Sequence, residues 1–74
     1  MDGHKENEAI TELTKALAFK PDLQLLHLRA AFHESMGDYI SAARDCEAAL
    51  CLDPNNSDTL ELYNKVREQV KEQN

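Results

Sequence analysis

A pattern of small and apolar residues occurs twice in this chain, and each copy ends at a proline. An offset of 33 residues superimposes four residues of the first copy on identical residues of the second: Ala9 on Ala42, Ala16 on Ala49, Leu17 on Leu50, and Pro21 on Pro54. A period in the thirties is typical of stacked helical hairpins, in which each unit buries its apolar face against its neighbours. The pattern therefore predicts an all-α fold built from antiparallel helical repeats.

Length and composition limit the chain to one small domain. It has 74 residues, of which 42% are hydrophobic and 30% are charged. Such a composition is typical of a soluble globular protein, and no apolar stretch is long enough to span a membrane. The first residues also lack the apolar region of a secretory signal. We therefore predict a single domain over residues 1–74 that has no membrane partner.

The charge balance argues against a nucleic-acid partner. The formal net charge is -6, from 14 acidic and 8 basic residues, and the basic residues are scattered along the chain. Nucleic-acid binding draws most of its affinity from phosphates that a basic surface neutralises. An acidic chain without a basic face is therefore not expected to bind nucleic acid.

Three breaks in the sequence separate four stretches with helical spacing of apolar residues. Pro21 ends the first, Gly37 ends the second, and the run 53–56 around Pro54 ends the third. Asp22 and Asp38 are favoured N-cap residues for the helices that follow them. The predicted helices span residues 5–19, 23–36, 38–52 and 57–72.

These features resemble the tetratricopeptide repeat, a helix-turn-helix unit of about 34 residues. The residues that carry the resemblance have structural roles in turns and helix crossings: Gly37, Tyr39, Ala42, Ala49 and Pro54. The resemblance implies that residues 22–56 form one full repeat. Residues 5–21 would then be the second helix of a preceding repeat, and residues 57–74 the first helix of a following repeat or a capping helix.

The chain also departs from the family pattern. Leu26 stands where the family often has tryptophan, and Arg29 where leucine is common. His33 stands where tyrosine is common, and Cys46 where a large aromatic residue is frequent. We therefore expect a thin core between the helices, with Phe32 and Tyr39 supplying part of the missing volume. Tyr39 and Tyr63 lie on apolar stripes and are expected in the core.

The resemblance implies a concave groove, lined by the first helices of successive repeats, that holds an extended peptide. A period of 3.6 residues, together with the residues flanking these rows, identifies the candidate groove positions. On the second helix these are Gln24, His27, Leu28, Ala31 and Glu34. On the fourth helix they are Asp58, Glu61, Leu62 and Lys65.

Some family members use Lys, Arg and Asn in the groove to grip the C-terminal carboxylate of a chaperone. Here Lys65 is the one basic residue at the candidate positions, and Glu61 would repel an acidic tail. A chaperone-binding role would therefore require a clamp supplied by further repeats outside this sequence.

Cysteine spacing bears on the cellular compartment. Cys46 and Cys51 lie on one predicted helix, so their Cα atoms are about 7.5 Å apart along its axis, beyond the reach of a disulfide. Two unpaired thiols and no secretory signal favour a cytoplasmic or nuclear location.

The sequence offers no reactive chemistry. Its His and Cys residues lack the close pairs of a metal site, and it has no Gly-rich phosphate loop. None of the serines has the context of a nucleophile. We therefore predict no enzymatic activity, no metal and no cofactor.

Two functional hypotheses follow. The first is a scaffold or adaptor that binds a protein or peptide in the groove. The second is a structural fragment, excised from or designed after a longer array, that forms homo-oligomers because about two repeats leave the end faces of the stack uncovered. The candidate end-face residues are Leu13, Leu17, Leu60 and Val66.

Overall fold

The computed structural model describes the backbone of residues 3–73 and the side chains of residues 5–71. This part of the chain contains four α-helices and no strand: α1 (Gly3–Phe19), α2 (Leu23–Ser35), α3 (Tyr39–Leu52) and α4 (Ser57–Gln73). The predicted all-α fold of four helices is confirmed. Residues 1, 2 and 74 of the predicted domain lie outside the described residues.

Aspartate side chains cap the N-termini of α2 and α3. Asp22 accepts a hydrogen bond from the backbone N–H of Leu25 at 3.1 Å, so α2 begins where the sequence predicted. Asp38 accepts one from Ser41 at 3.3 Å and is therefore the N-cap of α3 rather than its first helical residue. In each case the carboxylate satisfies a backbone donor that has no partner within the helix.

Gly37 makes the tight turn between α2 and α3. Its φ angle is 83°, a left-handed conformation that glycine adopts without the steric cost of a Cβ atom. The N–H of Gly37 donates to the carbonyl of Glu34 at 3.0 Å, and the N–H of Asp38 donates to that of His33 at 2.9 Å. These two bonds form a Schellman motif, which ends α2 one residue earlier than predicted.

The third helix holds the fold together. α3 packs against both α2 and α4, whereas α1 packs against α2 alone. The buried apolar residues are mostly small: Leu26, Ala30, Ala42, Cys46, Ala49 and Val66. Small side chains allow the helix axes to approach closely, and the thin core expected from the sequence is present.

Both tyrosines differ from the expectation. Tyr39 and Tyr63 are partly exposed rather than core residues. The Tyr63 hydroxyl donates a hydrogen bond to Glu47 at 2.9 Å, and the Arg67 guanidinium lies 5.5 Å from the centre of the ring. A hydroxyl needs a polar partner, so the ring lies at the edge of the α3–α4 contact, where Glu47 can accept its hydrogen bond.

The prediction of end-face residues is wrong for Val66. This side chain is fully buried, so it cannot contribute to an exposed end face. Larger exposed fractions belong to apolar side chains that the sequence analysis did not assign to that face, namely Phe19 at 93%, Ile40 at 58% and Leu52 at 51%. The buried face of α4 is rotated so that Thr59, rather than Leu60, lies inside.

A charged pair connects α2 to α3 at the position where the family often has leucine. Two nitrogens of the Arg29 guanidinium donate to the two carboxylate oxygens of Asp45, at 2.8 and 2.6 Å. A third nitrogen donates to the hydroxyl of Thr14 on α1 at 3.1 Å. The hydrogen bonds to Asp45 raise the pKa of Arg29 above its already high ordinary value. One side chain thus joins three helices.

His33 lies beside this pair. Its Nε2 atom is 3.6 Å from Asp45 and its Nδ1 atom is 3.7 Å from Asp38, and its side chain is 16% exposed. The side chain of His33 is therefore partly buried beside these two carboxylates.

The Arg29–Asp45 pair generates a stability prediction. Asp45→Ala leaves Arg29 half-buried without its carboxylate, and we expect a loss of about 2–3 kcal/mol, because the partly exposed guanidinium can regain some hydration. The double variant Arg29→Met, Asp45→Leu should lose less than Asp45→Ala alone, since it leaves no charge unpaired. Urea unfolding measures both.

The matched control removes an exposed ion pair. Glu12 lies 3.8 Å from Lys15 on the surface of α1, so Glu12→Ala should change the free energy of unfolding by less than about 0.5 kcal/mol. An Asp45→Ala variant as stable as this control would contradict the structural role of the pair.

The two cysteines are both unpaired and differ in burial. Cys46 is buried and Cys51 is exposed. Burial, with a further effect from nearby Asp45, Glu34 and Glu47, raises the pKa of Cys46 from 9.0 to about 11. Since the thiolate is the reactive form, Cys46 is shielded both sterically and electrostatically.

We predict that iodoacetamide at neutral to mildly alkaline pH modifies Cys51 rapidly and Cys46 only when the chain unfolds. Mass spectrometry of the Cys51→Ser variant, with and without urea, isolates the buried thiol. Equal labelling rates in the two folded thiols would contradict the burial of Cys46.

The raised pKa of Cys46 also makes stability depend on pH. Because the folded pKa lies above the unfolded one, Cys46 favours folding below pH 9.0 and loses that contribution as the pH rises toward about 11.

Candidate functional site

A groove runs between α2 and α4. Both helices pack on α3, but they contact each other only slightly. Gln24 and Asp58 lie near the starts of their helices and line one depression, while Glu34 and Lys65 lie further along and form an ion pair. The two helices therefore run in the same direction, and α3 holds them as the walls of an open groove.

Two adjoining depressions form the floor of the groove. The larger has a volume of about 510 Å³ and is lined by His27, Asp58, Glu61, Leu62 and Lys65. The other, of about 350 Å³, is lined by Leu23, Gln24, His27, Leu28, Asn56, Asp58 and Thr59. Because His27 and Asp58 line both, the two depressions form one continuous surface.

A hydrogen bond across the groove holds the imidazole of His27. Its Nδ1 atom lies 3.2 Å from the hydroxyl of Thr59, which is fully buried. The backbone N–H of Thr59 in turn donates to the side chain of Asn56 at 2.8 Å, which caps α4. A buried hydroxyl without a hydrogen-bond partner is energetically costly, so Thr59 holds the His27 ring in one orientation. Nε2 is then the ring nitrogen of His27 that does not contact Thr59.

Charges along the groove are mostly negative. Lys65 on α4 lies 3.8 Å from Glu34 on α2, so this ion pair spans the groove. The other charged side chains of the larger depression are the carboxylates of Asp58 and Glu61. Helix packing thus brings Lys65 of α4 to Glu34 of α2.

The structure brings the predicted groove residues together. Seven of them line the two depressions: Gln24, His27, Leu28, Asp58, Glu61, Leu62 and Lys65. Glu34 joins them through its ion pair with Lys65. Ala31 is half-buried on α2 and does not line either depression. Their role in binding stays a prediction.

Three lining residues were missed by the sequence analysis, namely Leu23, Asn56 and Thr59. Thr59 precedes Leu62 by three residues and buried Val66 by seven, so helical spacing could have placed it on the inner face of α4. Thr59 was missed because it is polar: a pattern based on apolar residues selects Leu60 as the inward-facing residue instead.

The groove presents hydrogen-bonding groups, carboxylates and a leucine surface. No group of three or more His, Cys, Asp or Glu residues among the described side chains is arranged to hold a metal ion. None of the helices in the described part of the chain is long and apolar enough to cross a bilayer. The arrangement is suited to contact with another molecule.

Comparison with known proteins identifies the family. The family model described as "ETO1 C-terminal domain" matches residues 1–71, which is nearly the whole chain. The chain belongs to the ETO1 C-terminal domain family. The tetratricopeptide-like helical repeat predicted from the sequence is a coarser description of this family. No solved structure matches the chain significantly.

Three curated relatives come from Arabidopsis thaliana. The chain is 71% identical to Ethylene-overproduction protein 1 over 68 residues, which is 92% of the chain and 7% of that protein. It is 65% identical to ETO1-like protein 1 over 66 residues, or 89% of the chain and 7% of the relative. It is 59% identical to ETO1-like protein 2 over 70 residues, which is 95% of the chain and 8% of that relative. The chain thus spans less than a tenth of each relative.

The hydrogen bond between Thr59 and His27 generates a prediction about the groove wall. Thr59→Val keeps the side-chain shape and removes the hydroxyl, so we expect a loss of about 1 kcal/mol and a change in the NMR signals of the His27 ring. Thr11→Val is the control, since Thr11 is an exposed helical threonine whose hydroxyl bonds within α1. Unchanged His27 signals in Thr59→Val would contradict the proposed orientation of the ring.

Proposed function

We propose that this chain is a non-catalytic protein-binding module that holds an extended segment of a partner in the groove between α2 and α4. The observation that carries the proposal is the convergence of seven predicted positions, from two helices that begin at Leu23 and Ser57, on one continuous concave surface. Membership of the ETO1 C-terminal domain family supports a helical-repeat interaction module.

Features of the groove suit an extended peptide. Leu28 is 45% exposed and offers an apolar contact. His27 supplies an oriented polar atom beside it, and the carboxylates of Asp58 and Glu61 line the same surface. An apolar contact with a few placed polar groups is the usual composition of a recognition site.

The alternative of a chaperone-tail clamp has less support. Lys65, the one basic residue at the candidate groove positions, is paired with Glu34 at 3.8 Å. An incoming carboxylate would have to compete for Lys65 and approach Asp58 and Glu61.

The wider role of the module is part of the same proposal. Two unpaired cysteines favour a cytoplasmic or nuclear location. The name of Ethylene-overproduction protein 1 connects that relative with ethylene production. The similarity supports the proposal that the partner of this chain acts in the same process, as one contact within a much longer scaffold.

The test of the groove uses twelve-residue peptides selected from a random displayed library on the immobilised chain. A selected peptide titrated into isotope-labelled chain should shift the amide signals of Gln24, His27, Glu61 and Lys65. Leu28→Ser should weaken binding about threefold to tenfold, because roughly half of a leucine side chain is available for burial.

Ile40→Ser is the matched control, since Ile40 is 58% exposed on α3. It should leave the affinity unchanged. Shifts confined to α3, with Ile40→Ser weakening binding and Leu28→Ser having no effect, would reject the groove as the binding site.

Sedimentation of the unliganded chain at increasing concentration tests the hypothesis of self-association separately.

A further inference from the structure

Unequal pairing of charges distinguishes the two ends of the groove. At one end, the ammonium of Lys65 lies 3.8 Å from the carboxylate of Glu34. Toward the start of α4, Asp58 and Glu61 line the depressions, and neither forms an ion pair or hydrogen bond with another side chain among residues 5–71. The groove therefore has one balanced end and one end with two unpaired carboxylates.

Helix electrostatics separates the roles of the two carboxylates. Asp58 lies in the first turn of α4, where the helix dipole favours a negative charge. Its presence has this local explanation. Glu61 lies a turn further on, where the helix dipole stabilises a negative charge only weakly, yet its side chain lines the same depression. Glu61 is thus the more specific indicator of what the groove would accept.

Apolar and polar contacts lie next to the unpaired carboxylates. Leu28 is 45% exposed on the α2 wall, and Leu62 is half-buried on the α4 wall. His27 lines one depression with Leu62 and the other with Leu28, and its ring is held by the buried Thr59 hydroxyl. An occupant must therefore present an aliphatic side chain toward the leucines and polar groups near His27, as well as compensate two negative charges.

We propose that the groove selects a basic extended segment of a protein partner, in which Lys or Arg side chains alternate with aliphatic ones. The inference rests on the proposed groove-binding function and adds the chemistry of the partner. The cations would pair with Glu61 and Asp58 on the α4 wall, while the aliphatic side chains would contact Leu28 on the α2 wall. Alternation suits an extended peptide, because successive side chains point to opposite sides.

Charge complementarity favours this occupant over an acidic or a neutral one. An acidic segment would approach Asp58 and Glu61 with like charge, and the chain as a whole carries a net charge of -6. A neutral segment would gain the leucine contacts but would leave the carboxylates uncompensated. Electrostatic attraction of this kind mainly determines which partner binds and how fast.

The experiment compares three blocked peptides of equal length with leucine at alternate positions. The residues between the leucines are lysine, glutamine or glutamate. Calorimetry measures each affinity for the intact chain, and amide shifts locate each binding surface. We expect the lysine peptide to bind about threefold to tenfold more tightly than the glutamine peptide, with the difference shrinking as salt is raised to about 0.5 M.

Two variants assign the charge effect to residues. Glu61→Gln should reduce the preference for the lysine peptide over the glutamine peptide by about twofold to fivefold. Glu12→Gln is the control, because Glu12 is an exposed carboxylate on α1, outside the groove. It should leave the preference unchanged.

The outcomes separate this inference from the proposed function. If the glutamine or glutamate peptide binds in the groove as tightly as the lysine peptide, groove binding stands and selection for a basic segment is wrong. If Glu12→Gln reduces the preference as much as Glu61→Gln, the effect belongs to net charge and the inference is also wrong. If library-selected peptides and all three of these bind outside the groove, both proposals fail.

Discussion

Close packing of α3 between α2 and α4 is the contact on which the rest of the structure depends. Ala42, Cys46 and Ala49 on α3 are fully buried, and so is Ala30 on α2. Their small size lets the helices approach closely, so that much of the stabilisation comes from burial along α3. Because α2 and α4 are both held by α3 rather than by each other, a groove stays open between them. The core that stabilises the fold also shapes the recognition surface.

Polar interactions then specify how these helices are aligned. Arg29 links α2 to Asp45 on α3 and to Thr14 on α1, so a sliding of any of these helices would break a charge-assisted hydrogen bond. His27 and Thr59 do the same between α2 and α4 at the groove. A thin apolar core alone tolerates small shifts, whereas buried polar partners penalise them. In this protein the alignment of the groove walls is therefore set by polar contacts.

The groove joins the fold to the proposed function. Its walls combine half-exposed leucine, an oriented imidazole and carboxylates, and its described residues include no cluster suited to a metal. In the proposed function, such a surface would recognise a partner by shape and charge. Within the ETO1 C-terminal domain family, a module that spans less than a tenth of its relatives would provide one binding surface of a longer protein. The unpaired carboxylates distinguish it from grooves that grip an acidic tail.

The sequence alone determined the features that depend on local interactions. Asp22 caps α2, Gly37 adopts the left-handed turn, and the 3.6-residue period placed His27 and Glu61 on one face each. The tertiary structure decided which groups meet across helices. Arg29 and Asp45 are 16 residues apart, and His27 and Thr59 are 32 apart. Helical periodicity defines a face only to within about one residue, whereas a hydrogen bond requires a match of a few tenths of an ångström. Only the packed helices supply that match, which is why Thr59, rather than Leu60, lies inside.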